Sequence, residues 1–205
     1  MDLTILAKGL LIGLAIAAPV GPIGALCIQR TLTSGRMMGF VSGLGAAVAD
    51  AIYGSVAAFG LTSISLFLTE RQTWFRVIGG LFLLYLGIKA FFSAPTLNAE
   101  AADIKKGASV FASTFFLTLT NPATIIMFAA VFAGYGALGI SAGFLSAGLL
   151  VLGVFLGSAS WWFFLSGVVS LVRGRMKEKH YRWTNRLAGV VIAGLGVLSL
   201  ASLRL

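Results

Sequence analysis

Apolar residues along this chain come in long stretches, not in the alternation of a half-buried strand or the one-sided stripe of a soluble helix. Six runs reach the roughly 20 residues that carry a helix across ~30 Å of hydrocarbon. They lie at 4–28, 38–62, 73–92, 108–133, 144–170 and 185–203. The pattern predicts an all-α integral membrane protein, a single domain of six transmembrane helices over 1–205 with halves at 1–93 and 107–205. The second run stays apolar almost to Leu68, so "LTSISLFLTE" is expected partly at the membrane interface. The first begins near Leu3 and meets no convincing cleavage site before its prolines, so it is expected to remain as a span.

Two runs are interrupted where a spanning helix should be continuous. "APVGPIGALCIQR" sets Pro19, Gly21 and Pro22 inside the first, and "TLTNPATIIMF" sets Asn121 and Pro122 inside the fourth. A proline removes one backbone donor and frees a carbonyl about a turn earlier. At membrane depth such groups are tolerated only against protein, water or a ligand. The next helix of each half continues the echo, "GLGAAVADAIYG" (43–54) answering "GVFLGSASWWFF" (153–164). Three helices plus three, each half opening on a broken helix, is the pattern of an inverted repeat, with broken helices 1 and 4 facing a site near the midplane. A simple proline kink at each place is the plainer alternative.

Composition agrees with the membrane reading: 59% of residues are hydrophobic, 10% are charged and the mean hydropathy is +1.00. The net charge of +9 would suit nucleic acid in a soluble protein. Here its distribution matters more. Eleven basic residues fall after the odd-numbered spans (Arg30, Arg36, Lys89, Lys105, Lys106, Arg173, Arg175, Lys177, Lys179, Arg182 and Arg186) and four on the other side (Lys8, Arg71, Arg76 and Arg204). The positive-inside rule then puts the odd loops in the cytoplasm and both termini outside. Tyr181 and Trp183 suit a belt at headgroup level. The expected partner is the lipid bilayer, with no nucleic acid.

One acid, Asp50, falls deep within a run. A carboxylate in hydrocarbon is costly unless it is neutralised, paired or wet, so a functional role, carrying a proton or pairing with a cation, stands beside a structural one in which it caps a backbone group freed at a break. No base is expected at its depth. The other polar residues available to a cavity are Gln29, Tyr53, Ser55, Thr118, Thr120, Asn121, Thr124, Ser158 and Ser160. Asn121 can both donate and accept, which suits a zwitterion, though Asn-Pro is a helix-break signal in its own right. Glycines recur at spacing four, as in Gly9 and Gly13, Gly35, Gly39 and Gly43, Gly139 and Gly143, and Gly153 and Gly157. They let helices approach closely, within the fold more readily than between copies. Trp161 and Trp162 suit a cavity wall or plain packing. Cys27 has no second cysteine to pair with, His180 has no metal-ligating neighbours in sequence, and there is no Walker motif. No cofactor, metal site or enzymatic chemistry is expected.

In this order the motifs resemble the LysE/RhtB family of amino-acid exporters. The likeness rests on Pro19, Gly21 and Pro22, Gly35 and Arg36, Asp50, Asn121 and Pro122, and Gly157, Ser158, Trp161 and Trp162, and covers essentially the whole chain. "PVGP" departs from the tighter P-G-P break of many members. The resemblance implies a bacterial inner-membrane exporter of amino acids or close derivatives, with six spans, proton motive drive and commonly a homodimer. Asp50 would then couple protons or meet the substrate ammonium. Pro19, Gly21, Pro22, Gln29, Tyr53, Asn121, Pro122, Ser158 and Trp161 would bind substrate. Lysine or arginine is compatible with an acidic site, but one carboxylate cannot be both dedicated counter-ion and free proton carrier. A divalent metal cation exporter of the same superfamily and a non-transporting membrane scaffold subunit are the alternatives.

Overall fold

The computed structural model describes residues 2–19, 21–59, 70–92, 104–121, 123–128, 143–173 and 178–201, and every regular element among them is helical. Helix α1 (Asp2–Ala17) stops at the first proline, and α2 (Pro22–Ser34) starts at the second. Gly21 caps α2 in an extended conformation (φ −111°, ψ −161°). Pro22 follows at the first helical position, where its fixed φ suits the helix and its missing N–H is no loss. The two axes meet at 81°.

α2 runs six residues past the expected end of the first span at 28. Arg30, expected in a cytoplasmic loop, is therefore a helical residue. Within the polar run "QRTLTS" the Thr31 and Thr33 hydroxyls are satisfied inside the helix by donating back to the carbonyls of Cys27 and Gln29, at 2.8 and 2.9 Å. Reversal comes at Gly35, whose φ of +98° is in the region that glycine occupies without steric cost. Its N–H bonds Thr31 O at 3.0 Å, and α3 (Arg36–Ala58) begins at once.

α4 (Gln72–Phe92), α5 (Ile104–Thr120), α6 (Phe144–Arg173) and α7 (Glu178–Ala201) follow, with residues 123–128 also helical. Stretches of α3, α4, α6 and α7 are each long and apolar enough to cross a membrane, and α1 with α2 makes a fifth if counted as one bent span. The apolar part of α5, Gly107–Thr120, is shorter. At the second interruption Asn121 N bonds Thr118 O (3.2 Å), and Asn121 O receives the N–H of Ile125 (3.2 Å), so the helix resumes almost at once. Pro122, the interfacial stretch 61–69 and the end of the fourth run lie outside the described residues.

Close crossings at glycine hold the helices together. α1 and α6 run parallel: Gly9 lies against Leu150 and Gly153, Gly13 against Val154 and Ser158, and Gly153 and Gly157 against the backbone of Leu6, Gly9, Leu10 and Leu14. α4 and α7 run antiparallel, Gly80 meeting Gly196 and Gly87 meeting Gly189. α3 is sandwiched between α6, antiparallel to it (Gly43 to Trp162, Gly54 to Val154), and α5, parallel to it (Ser42 to Thr114, Tyr53 to Leu119). The apolar core fills the centre of this arrangement with Leu26, Ala46, Leu83, Leu117, Trp162 and Ile192.

A Cβ at Gly157 would overlap backbone, whereas Gly194 faces open space. Gly157→Val is expected to destabilise the protein by about 1–3 kcal/mol or more through overpacking. Gly194→Val is expected within about 0.5 kcal/mol of the parent apart from the helix-propensity change. Thermal unfolding in detergent, followed by size-exclusion chromatography, checks both.

Candidate functional site

Asp50 lies fourteen residues into α3, about 21 Å from Arg36 by the helical rise, and is 3% exposed. The close α3–α6 crossing brings Ser158 opposite it. The Ser158 hydroxyl donates to Asp50 Oδ2 at 2.7 Å, and Trp162, one turn along α6, donates its indole N–H to Ser158 Oγ at 3.1 Å. A hydroxyl both donates and accepts, so Ser158 can serve a charged or a protonated Asp50 by rotating its hydrogen. Among the described residues, no group of three or more His, Cys, Asp or Glu side chains is placed to hold a metal ion.

Tyr53, almost one turn past Asp50, ties this cluster to the second helix break. Its hydroxyl donates to Leu119 O at 2.6 Å, satisfying one of the carbonyls that the end of α5 leaves without an intrahelical partner. Its ring stacks on Phe128 at 5.3 Å, beyond the break. Asn121 is buried, but its side chain is engaged locally: Nδ2 donates to Thr124 Oγ1 (3.1 Å) and Oδ1 receives the N–H of Ala123 (3.2 Å). Pro19 is exposed at the first bend, with Gly21 and Pro22 half-buried beside it. Trp161 is half-buried, packs on the apolar core and tilts against Phe164 at 5.8 Å, while its neighbour Trp162 reaches Ser158.

Gln29 sits elsewhere. Its amide donates to Asn185 Oδ1 at 3.1 Å, across 156 residues of sequence, at the edge of a cavity of about 880 Å³ among α2, α4, α5 and α7. Arg30 lines the same cavity and braces three helices: Nη1 donates to Ser42 Oγ (2.8 Å), Val110 O (2.9 Å) and Thr114 Oγ1 (2.6 Å), and Nη2 to Ser113 Oγ (2.7 Å).

A family model described as LysE type translocator matches residues 14–202, which include both helix breaks, Arg30 and Asp50. The chain belongs to the LysE-type translocator family.

Among relatives of this translocator, a Bacillus subtilis (strain 168) protein named "Putative amino acid efflux protein YcgF" is 28% identical over 91% of this chain and 90% of its own length. The uncharacterized membrane protein YahN of Escherichia coli K12 is 31% identical over 80% of this chain and 75% of its own. A leucine efflux protein of Salmonella typhimurium is 25% identical over 55% and 54%. No solved structure matches the chain.

The translocator thus gathers Asp50, Tyr53, Ser158 and the Asn121 break around α3, and keeps Gln29 apart beside a basic cavity. Arg30, its hydroxyl partners Ser42, Ser113 and Thr114, and Asn185 are polar residues of this family member that the sequence did not single out as a site. The one signal for Arg30 was its place in "IQRTLTS", a stretch that makes a regular helix without a glycine or proline until Gly35. Ser158→Ala leaves an Asp50 oxygen without its donor and is expected to cost about 1–3 kcal/mol. Ser158→Thr keeps the hydroxyl and should recover most of that. Unfolding temperatures of the two variants in detergent decide the point.

Proposed function

We propose that this LysE-type translocator exports an amino acid across the bacterial cytoplasmic membrane by alternating access coupled to proton movement, with Asp50 carrying the proton. The observation that carries the reading is the bond between buried Asp50 and a neutral hydroxyl, Ser158, which leaves the carboxyl able to gain and lose a proton without breaking an ion pair. A buried acid in a membrane span is costly, so its presence supports a functional role. The names of the Bacillus and Salmonella relatives support an amino acid as cargo.

Helix directions support six crossings arranged as two inverted halves. α1 runs parallel to α6 as α5 does to α3, and these two pairs exchange when the first half is matched to the second. α3 against α6 and α4 against α7 are both antiparallel, as helices related by such an axis must be. The bends at Pro19–Pro22 and Asn121 would be the flexible points between inward-open and outward-open forms. The distribution of basic residues supports termini outside, and the family resemblance supports pairing of two copies.

Efflux of a panel of labelled amino acids from preloaded proteoliposomes, with and without an imposed pH gradient, tests the reading. The parent is expected to release at least one amino acid faster under the gradient. Asp50→Asn is expected to lose gradient-driven efflux by about tenfold or more while remaining folded, since the buried group can no longer bind and release a proton. Folded parent protein that releases no amino acid contradicts the proposal and turns the assay to divalent cations.

A further inference from the structure

Arg30 is a cation inside the helix bundle whose recorded hydrogen bonds, among the described residues, all go to neutral acceptors: three hydroxyls and one carbonyl. Nη1 serves three of them and Nη2 one, so the guanidinium, with five N–H donors in a planar fork, keeps donor capacity at Nε and Nη2. Hydroxyls hold the fork in place but do not cancel its charge. A partly buried charge with no counter-ion among the described residues costs free energy, and a carboxylate is the anion whose geometry matches the fork.

The cavity beside it matches the rest of such a ligand. Its described lining carries two cations, Arg30 and Lys89, and no acidic side chain. Phe82 and Leu86 give it an apolar wall, and the amides of Gln29 and Asn185 supply neutral polar groups. We propose that this cavity receives the α-carboxylate of the exported amino acid on Arg30, and that its charge favours amino acids with an uncharged side chain over lysine and arginine. The inference rests on the amino-acid export reading and narrows it. A lysine or arginine side chain would bring a further positive charge beside the Arg30 guanidinium, and no acidic side chain stands in the described lining to meet it. Ser42, the partner of Arg30, and Asp50 are eight residues apart on α3, so about 12 Å of helix separates the anion site from the acid. The substrate's carboxylate and the transported proton then have different addresses, and Asp50 need not act as an ammonium counter-ion.

The test uses the full-length protein in proteoliposomes, with leucine, leucinamide and lysine as probes. For the parent, unlabelled leucine is expected to compete with labelled leucine for efflux, leucinamide, which lacks the carboxylate, to compete at least tenfold less well, and lysine to leave at least tenfold more slowly. Arg30→Gln is expected to raise the KM for leucine by about 10- to 100-fold, the range for losing a hydrogen bond to a charged group, with a smaller change in maximal rate. Arg30→Lys, which keeps the charge but not the fork, should fall between. Leucinamide competing as well as leucine, lysine leaving as fast as leucine, or an unchanged KM in folded Arg30→Gln would each overturn the proposal while leaving amino-acid export standing. Should Arg30→Gln fail to fold, the parent's discrimination among the three probes decides the matter. Release of no amino acid at all by folded parent protein overturns the export reading and this one together.

Discussion

Inside the hydrocarbon of a bilayer there is no bulk water to complete a hydrogen bond, so every polar group that leaves a regular helix must face protein, a water-filled cavity or a ligand. Much of this structure follows from that constraint. At the first break Pro22 begins α2 at a position where its missing N–H is no loss. At the second, the Asn121 side chain and the Tyr53 hydroxyl take up backbone groups around the interruption. Two charged side chains set into the helix packing are likewise held by the protein: Asp50 by a hydroxyl, and Arg30 by three hydroxyls and a carbonyl.

Those partners meet only because the helices approach closely. Ser158 follows Gly157 directly, and Gly157 lies on the α1 backbone, so the contact that seats α6 on α1 also fixes the height at which Ser158 faces α3. On the opposite side of α6, Gly43 makes room for Trp162, which in turn donates to Ser158. The small residues therefore align the polar cluster as well as binding the bundle. Bulk added at the α1–α6 crossing should disturb Asp50 through Ser158 without touching it.

The sequence carried some of this clearly and some not at all. Pro19 and Pro22 marked the first bend because proline has few legal places in a helix, and the spacing of Gly9 and Gly13 with Gly153 and Gly157 marked close-packing faces. Which face met which was hidden, since the matching glycines lie 144 residues apart. The Gly80–Gly196 and Gly87–Gly189 contacts are spaced by seven instead of four and so fall outside that pattern. Trp161 and Trp162 could not be ranked from sequence: adjacent residues point about 100° apart on a helix, and α6 is apolar on every side, so no polar face orients it. Arg30 reads as a loop residue because a basic residue after an apolar run usually lies in a loop. The hydroxyls that make its burial tolerable, Ser42, Ser113 and Thr114, come from two other helices and become visible only once those helices are packed.

The account's central claim is that an anion site at Arg30 and a proton site at Asp50 work in one transport cycle, separated along α3 yet linked through the helices that both brace. Infrared difference spectroscopy of the reconstituted protein, recorded as a neutral amino acid is added at neutral pH, tests this most directly. The account predicts, for the parent, a change in the C=O stretching band of a protonated carboxylic acid, a band that the substrate's ionised carboxylate does not share. This change disappears in Asp50→Asn and is lost or greatly weakened in Arg30→Gln. A substrate-induced change in the protonated-acid band that persists in folded Asp50→Asn, or substrate binding with no change in that band in the parent, would contradict it.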